Sequence, residues 1–113
     1  MNIQIFGRKN CQETRKAERY FKERRIAFQF IDLKLKGLSK GELAKVQAAV
    51  GGMTKLIDTE SKEYIKRNLK YMMHNIEETL LASPALLKSP IVRNGPKATI
   101  GYAPEVWQTW EEK

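Results

Sequence analysis

The hydrophobic period changes twice within the first 33 residues, and this constrains the fold more than any other feature of the chain. Residues 2–6 alternate apolar and polar side chains, which predicts a strand that leads into a loop over 7–10. Residues 12–25 repeat apolar side chains at helical spacing, and residues 28–33 alternate again. A strand, a helix and a strand in this order predict a βαβ unit with parallel strands and a right-handed crossover.

The middle of the chain has no alternating segment, and each apolar cluster from Ser39 to Ala82 fits a helical period. Ser39 followed by Glu42 is a capping box, which predicts a helix that ends at Gly51-Gly52. Shorter helices are predicted over 53–57, 61–70 and 75–82.

Alternation returns near the end of the chain, after breaks at Ser83-Pro84 and Ser89-Pro90. Residues 90–92 and 98–102 flank a turn at Asn94-Gly95-Pro96 and predict an antiparallel hairpin. A last helix is predicted from Pro104 through Trp110. The complete order is β-α-β, a helical block, then β-β-α, which is the connectivity of an α/β, thioredoxin-like fold with a helical insertion over about residues 38–83.

Length and cysteine content limit the class of protein. The 113 residues suffice for one domain, 1–113, and not for two cores. Cys11 is the only cysteine, so no internal disulfide can form. No apolar run could span a bilayer, and the first basic residues follow the apolar stretch instead of preceding it. We expect a soluble, cytoplasmic protein of a reducing compartment without a membrane partner.

The net charge of +8 is concentrated at the start of the chain, because residues 1–40 carry +7 and the remainder carries +1. A basic balance is typical of proteins that bind nucleic acid or an acidic protein. The regular apolar pattern describes a folded domain, and no aromatic platform for bases is evident, so direct nucleic-acid binding is disfavoured. Lys22, Arg24 and Arg25 form either a solvated helix face or a patch for an acidic partner.

Cys11 lies where a loop enters the first predicted helix. Free N–H groups and the positive end of the helix dipole favour a thiolate there, which predicts a lowered thiol pKa. Arg8, Lys9 and Arg15 act in the same direction. The same N–H groups, with Thr14 and Arg15, could hold an oxyanion. The alternative is a small half-buried cysteine without chemistry.

His74 is the only histidine. It lies far from Cys11 in the sequence and lacks metal-ligand spacing, so a catalytic or metal-binding role is disfavoured. We predict no metal site. Trp107 and Trp110, on the last predicted helix, are interpreted as one packed and one partly exposed side chain.

The segment around the cysteine resembles the N-C-x-x-[ST]-R-K-A signature of the glutaredoxin-like arsenate reductases (ArsC) and their Spx relatives. It reads Asn10-Cys11-Gln12-Glu13-Thr14-Arg15-Lys16-Ala17. The resemblance continues, in order, over 30–33, 56–62, 83–92 and 101–102. It implies a thioredoxin fold, a nucleophilic Cys11 and a cis-proline at Pro90 that abuts the cysteine. We expect the anion or substrate site to consist of Arg8, Asn10, Thr14, Arg15 and Pro90.

The chain departs from the arsenate reductases at three positions. The arginines that position arsenate in that family are replaced here by Asp58, Ser89 and Tyr102. A carboxylate at 58 would repel an arsenate dianion. Lys62 or Arg93 could substitute, although the family motif predicts neither. The resemblance therefore supports the fold and the thiol better than it supports arsenate.

The resemblance implies two functions of different classes. One is an arsenate reductase-like thiol oxidoreductase with Cys11 as the single nucleophile, no bound cofactor, and glutathione and glutaredoxin as external reductants. Thr14 stands where Spx proteins often carry a second cysteine, so any resolving thiol must be external. The other is a Spx-like regulator that binds the C-terminal domain of the RNA polymerase α subunit, for which Gly52 is a weak match. A different thiol or oxyanion substrate is the third alternative.

Overall fold

The computed structural model describes residues 1–111, which form four strands and five α-helices. The strands are β1 (Ile3–Gly7), β2 (Phe28–Asp32), β3 (Ile91–Asn94) and β4 (Lys97–Ile100). The helices are α1 (Gln12–Glu23), α2 (Lys40–Val50), α3 (Lys62–Lys66), α4 (Ile76–Ala82) and α5 (Pro104–Glu111). Short 3₁₀ turns cover Met53–Lys55, Leu69–Tyr71 and Pro84–Leu86. None of the helices within 1–111 is long and apolar enough to cross a membrane.

The four strands form one mixed sheet in the order β2-β1-β3-β4. β1 and β2 run parallel from the pair Ile3 and Phe28 to the pair Gly7 and Asp32. β3 runs antiparallel to β1, and β4 runs antiparallel to β3. The predicted βαβ unit, the later hairpin and the thioredoxin-like α/β fold with a helical insertion between β2 and β3 are confirmed.

Alternation along the strands divides the core into two clusters, one on each face of the sheet. Ile5 packs with α1 and α5, whereas its neighbour Phe6 packs with the insertion. Val92 likewise packs with α1 and α5, whereas its neighbour Ile91 packs with the insertion. Trp107 and Trp110 are both buried in the α1 and α5 cluster, so the interpretation of one partly exposed tryptophan was wrong. The Trp107 indole N–H donates to Thr99 Oγ1 at 2.8 Å, which satisfies its one polar group.

Helix α2 begins and ends as its sequence predicts. Ser39 Oγ accepts from the Glu42 N–H at 3.1 Å, and a Glu42 carboxylate oxygen accepts from the Ser39 N–H at 2.8 Å. Gly51 adopts a left-handed φ of 95°, and its N–H donates to Gln47 O at the helix end.

The insertion is less helical than its periodicity predicts. The helix expected over 61–70 ends at Lys66, because Asn68 adopts a left-handed φ of 55° and only a 3₁₀ turn follows. Asn tolerates this conformation better than most residues, so it acts as a helix stop that apolar spacing does not reveal. The helix expected over 53–57 is likewise a single 3₁₀ turn.

Candidate functional site around Cys11

Two loops meet at Cys11: the loop that connects β1 to α1, and the segment 83–90 that leads into β3. Cys11 is the N-cap residue of α1, in an extended conformation with φ −89° and ψ 119°. Its N–H donates to Arg8 O at 3.0 Å, and its carbonyl accepts from the Arg15 N–H at 3.2 Å. The side chain therefore starts at the end of α1 where backbone N–H groups lack helical partners.

The Cys11 thiol is half-buried and lies among hydrogen-bond donors. Burial alone would raise its pKa, but hydrogen bonds from the side chains of Thr14 and Ser89 and from the N–H groups of Thr14 and Glu13 outweigh burial. The pKa is therefore lowered below the ordinary value of a cysteine thiol. This lowering has the direction that the sequence predicts. Its causes differ, because hydroxyl and backbone N–H groups lower the thiol pKa and the arginines are not among the causes.

Thr14 and Ser89 bring the two loops together at the sulfur. Their hydroxyl oxygens lie 2.9 Å apart, and Ser89 Oγ also accepts from the Arg8 N–H at 3.3 Å. Each hydroxyl has one proton to donate. The bond between them uses one proton, which leaves the other for the Cys11 sulfur.

Gly7 permits this arrangement because it lets the end of β1 approach Thr14 closely. Thr14 is fully buried. A Cβ atom at position 7 would lie 2.5 Å from Thr14 Oγ1 and 2.6 Å from its methyl carbon, well inside contact distance. The absence of a side chain at Gly7 thus makes room for the Thr14 hydroxyl beside the cysteine.

The peptide bond between Ser89 and Pro90 is cis, as the resemblance implied. Its carbonyl group, Ser89 O, lies 3.7 Å from the Cys11 sulfur, so this turn abuts the cysteine. The Pro90 carbonyl accepts from the Gly101 N–H at 2.8 Å, which ties the turn to the end of β4. The role of Pro90 in substrate binding stays a prediction.

The Arg8 side chain hydrogen-bonds to main-chain carbonyl groups near the end of the insertion. Its Nη2 atom donates to the carbonyl oxygens of Pro84, Ala85 and Leu87 at 3.0, 2.9 and 2.9 Å. Pro84 O also accepts from the Leu87 N–H at 3.1 Å, and the guanidinium group adds a charged donor to it and to the carbonyl groups of Ala85 and Leu87. Arg8 therefore joins the β1–α1 loop to the end of the insertion. Its contribution to anion binding stays a prediction.

Arg15 and Asn10 lie at the exposed side of the site. Arg15 Nε donates to Lys9 O at 3.0 Å, so its side chain folds back over the loop that precedes Cys11. Their contribution to anion binding stays a prediction.

The three positions where the family carries arginines have separate surroundings. Asp58 Oδ1 accepts from the Glu60 N–H at 3.1 Å and stabilises a turn. Tyr102 packs edge-on against Trp107, with the ring centroids 5.6 Å apart. Ser89 contacts the cysteine, a role that its place as a replaced arginine does not predict. A hydroxyl residue directly before the expected cis-proline was the available signal.

The other singled-out residues lie outside this cluster. His74 Nδ1 lies 3.0 Å from Thr79 Oγ1, next to the start of α4. The Arg24 guanidinium carbon lies 4.2 Å from the centre of the Tyr20 ring. Within the described chain, 1–111, no three His, Cys, Asp or Glu side chains cluster as metal ligands would.

Comparisons with known proteins agree with this architecture. The sequence model of the ArsC family matches residues 6–110. The global transcriptional regulator Spx 2 of Oceanobacillus iheyensis is 31% identical over 106 residues, which cover 90% of this chain and 78% of the regulator.

Solved structures are similar over nearly the whole chain. An arsenate reductase from Vibrio cholerae has a TM-score of 0.81 and 22% identity, over 98% of this chain and 97% of that chain. An ArsC family related protein from Bacteroides fragilis has a TM-score of 0.84 and 20% identity, over 96% of this chain and 97% of that chain. At these identities the structures show a shared fold.

Proposed function

This chain belongs to the ArsC family, and on that premise we propose that it is an arsenate reductase-like thiol oxidoreductase with Cys11 as its single nucleophile. Glutathione and glutaredoxin are the proposed external reductants. One observation carries the proposal: the Cys11 sulfur lies at the start of α1, and the paired hydroxyl groups of Thr14 and Ser89 hydrogen-bond to it. A thiolate is the reactive form of cysteine, and the lowered thiol pKa increases the fraction of Cys11 present as thiolate.

In the arsenate reaction, the Cys11 thiolate attacks arsenic. A sulfur–arsenic bond forms, and one arsenic–oxygen bond breaks, with the oxygen leaving as water after protonation. The N–H groups at the start of α1, with Thr14 and Arg15, hold the remaining oxygens. A glutathione thiol then attacks the Cys11 sulfur, and arsenic leaves as arsenite with the electron pair of the sulfur–arsenic bond. Glutaredoxin and a second glutathione thiol reduce the resulting Cys11–glutathione disulfide, which restores the Cys11 thiolate.

The electrons must come from outside the chain because Cys11 has no second cysteine to pair with. An intramolecular disulfide mechanism is therefore impossible, and a mixed disulfide or arsenylated cysteine has to be resolved by another molecule's thiol. Glutathione is the proposed co-substrate, and glutaredoxin would reduce the mixed disulfide that glutathione forms.

The surroundings of the sulfur disfavour arsenate as the substrate. Asp58, Ser89 and Tyr102 replace the arginines that the family uses for the oxyanion, and Arg8 is occupied with carbonyl groups. The groups that remain close to the sulfur are neutral hydroxyl and amide donors. A less charged electrophile, such as a disulfide, suits them as well as arsenate does.

A coupled assay tests the proposal. The wild type is incubated with glutathione, glutaredoxin, glutathione reductase and NADPH, and the oxidation of NADPH is followed with arsenate or with a small glutathione mixed disulfide. We expect turnover with at least one substrate and none for Cys11→Ser, which is nearly isosteric. No wild-type turnover with arsenate would remove that substrate, and no turnover with either would reject the oxidoreductase.

A Spx-like regulator is the second candidate, favoured by the 31% identity to Spx 2 along most of the chain. In this role the chain would bind the C-terminal domain of the RNA polymerase α subunit, and Gly52, next to the end of α2, would belong to the contact. Calorimetric titration of that domain into the wild type tests it. Binding that persists in Cys11→Ser would favour the regulator, and the absence of wild-type binding would reject it.

A further inference from the structure

The helical insertion exposes apolar side chains that the core does not use. Four of them lie close together in the sequence: Ile65, Tyr71, Met72 and Met73 are 63%, 81%, 55% and 102% exposed. Isolated exposed apolar residues are common on protein surfaces, but a concentration of them marks interaction sites. We call residues 62–73 the insertion surface.

Two of these side chains line a small cavity. Ile65 and Tyr71 line it together with Lys70, and its volume is ≈ 200 Å³. Small-molecule sites usually measure roughly 300–1,000 Å³, so this cavity is too small for a typical cofactor. One aromatic or aliphatic side chain of another protein is an occupant of suitable size. Tyrosine and methionine suit such contacts, because tyrosine combines apolar area with a polar end and methionine adapts its shape.

The insertion surface is also basic. It contains four cations and one acid, for a net charge of +3. Arg67 pairs with Glu63. The remaining cations are exposed and form no ion pair with an acid within residues 1–111: Lys62, Lys66 and Lys70. A complementary partner must therefore carry negative charge around its apolar anchor.

We propose that the insertion surface is a docking site for an acidic segment of another protein, which inserts an aromatic or aliphatic side chain between Ile65 and Tyr71. A second copy of this chain is a poor partner, because two surfaces of charge +3 would face each other. A lipid surface has no need of a cavity of side-chain size. The site is independent of the thiol chemistry, since none of its residues contacts Cys11 in the cluster described above.

Selection from a library of short random peptides on the immobilised wild type tests the docking site. We expect enriched peptides to combine several Asp or Glu residues with an aromatic or leucine anchor. A synthetic selected peptide should shift the amide NMR signals of residues 59–73, and its affinity should fall as salt is added. Selection of peptides without acidic residues, failure to enrich any peptide, or NMR shifts confined to other regions would each overturn the proposal.

Matched variants distinguish binding at this surface from non-specific hydrophobic binding elsewhere on the protein. The double variant Tyr71→Ser, Met73→Ser should bind the selected peptide with an affinity about tenfold lower, or lower still. Leu35→Ser and Val106→Ser, which remove exposed apolar side chains elsewhere, should bind as the wild type does. Cys11→Ser should also bind normally. Equal binding by the Tyr71 and Met73 variant would refute the site, as would Tyr71-dependent self-association in sedimentation or Tyr71-dependent binding to phosphatidylglycerol vesicles.

Discussion

Single hydroxyl groups govern the chemistry that Cys11 can perform. Thr14 and Ser89 come from different segments, and their hydrogen-bonded pair of hydroxyl groups lowers the thiol pKa against the opposing effect of burial. Neither group is charged, so hydrogen bonding, and not a neighbouring cation, accounts for the lowered thiol pKa. This leaves the reactive atom accessible to an anionic or a neutral electrophile.

Removing these hydroxyl groups should raise the pKa of Cys11. Thr14→Val keeps the shape of the side chain and Ser89→Ala removes one oxygen, so each leaves the thiolate less stabilised. The rate of iodoacetamide alkylation against pH measures the change, and both profiles should move to higher pH. Ser61→Ala, which removes the hydroxyl that caps α3, is the matched control and should leave the profile unchanged. Profiles that do not move in either site variant would contradict the assigned role.

Two glycine substitutions, Gly7→Ala and Gly41→Ala, distinguish a glycine needed for close packing from one that only adds backbone flexibility. Gly7→Ala places a methyl group 2.5 Å from Thr14 Oγ1, and we expect it to destabilise the fold by about 1–3 kcal/mol. Gly41→Ala meets nothing within 4 Å and lies within α2, so it should stabilise the fold by about 0.5–1 kcal/mol. Urea denaturation gives both free energies of unfolding. A neutral Gly7→Ala would mean that Thr14 can move without cost.

At the level of elements, the site depends on a connection between the β1–α1 loop and the end of the insertion. Arg8 provides it through three carbonyl groups of 84–87. The same insertion segment pairs with the chain before α3, where Ile57 and Leu87 form an antiparallel bridge. The helical insertion is therefore bound into the frame that positions Ser89 and Pro90.

Arg8→Met should loosen this connection. Hydrogen bonds to a charged group contribute about 1.5–3 kcal/mol, and their carbonyl partners would lose a donor, so we expect a loss of stability in that range. Arg15→Met is the matched control, because its exposed side chain makes one bond to Lys9 O; its stability should stay within about 0.5 kcal/mol of the wild type.

Amide hydrogen exchange provides the second measurement of the Arg8 connection. Exchange should accelerate over 84–89 in Arg8→Met and stay unchanged there in Arg15→Met. Equal stability and equal exchange in the two variants would show that Arg8 is not a structural connection.

The elements differ in how well the sequence predicts them. The strands β1 and β2 and the helix α2 carry local signals, such as alternation and the capping box of Ser39 and Glu42, that agree with the final packing. The break at Asn68 is not visible in the apolar pattern, because the helical spacing of apolar residues continues beyond it to Leu69.

The part of the site that depends on local sequence was predictable, and the part that depends on long-range contacts was not. Cys11 and Thr14 share one helix start, so their proximity follows from local sequence. Ser89 reaches them only through the sheet order and the cis turn before Pro90. Arg8 precedes the cysteine by three residues, yet its guanidinium group binds carbonyls that lie about 80 positions later in the chain. Such long-range contacts cannot be read from a single sequence.

At the scale of the whole molecule, the lowered thiol pKa makes stability depend on pH. The folded pKa of Cys11 lies below that of the unfolded chain, so between the two values the unfolded chain binds more protons. Stability must then rise with pH across this window, be fully gained above the unfolded value of about 8.5, and be lost below the folded pKa.

The difference in unfolding free energy between the wild type and Cys11→Ser isolates this contribution, since other titrating groups cancel. Urea denaturation at a series of pH values should show the wild type gaining stability over the variant as the pH rises towards the unfolded thiol pKa. A difference that stays flat, or that falls with rising pH, would mean that folding does not favour the thiolate.

The sheet order has a consequence for how the molecule avoids aggregation. β2 and β4 are the two edges of the sheet, with five and four residues, and a long open edge would invite pairing with another chain. β4 begins with an exposed Lys97, and α2 packs against this strand. β2 presents the exposed polar Gln29. Short edges of this composition disfavour the growth of a continuous sheet between copies, even while the insertion keeps its apolar side chains in solvent.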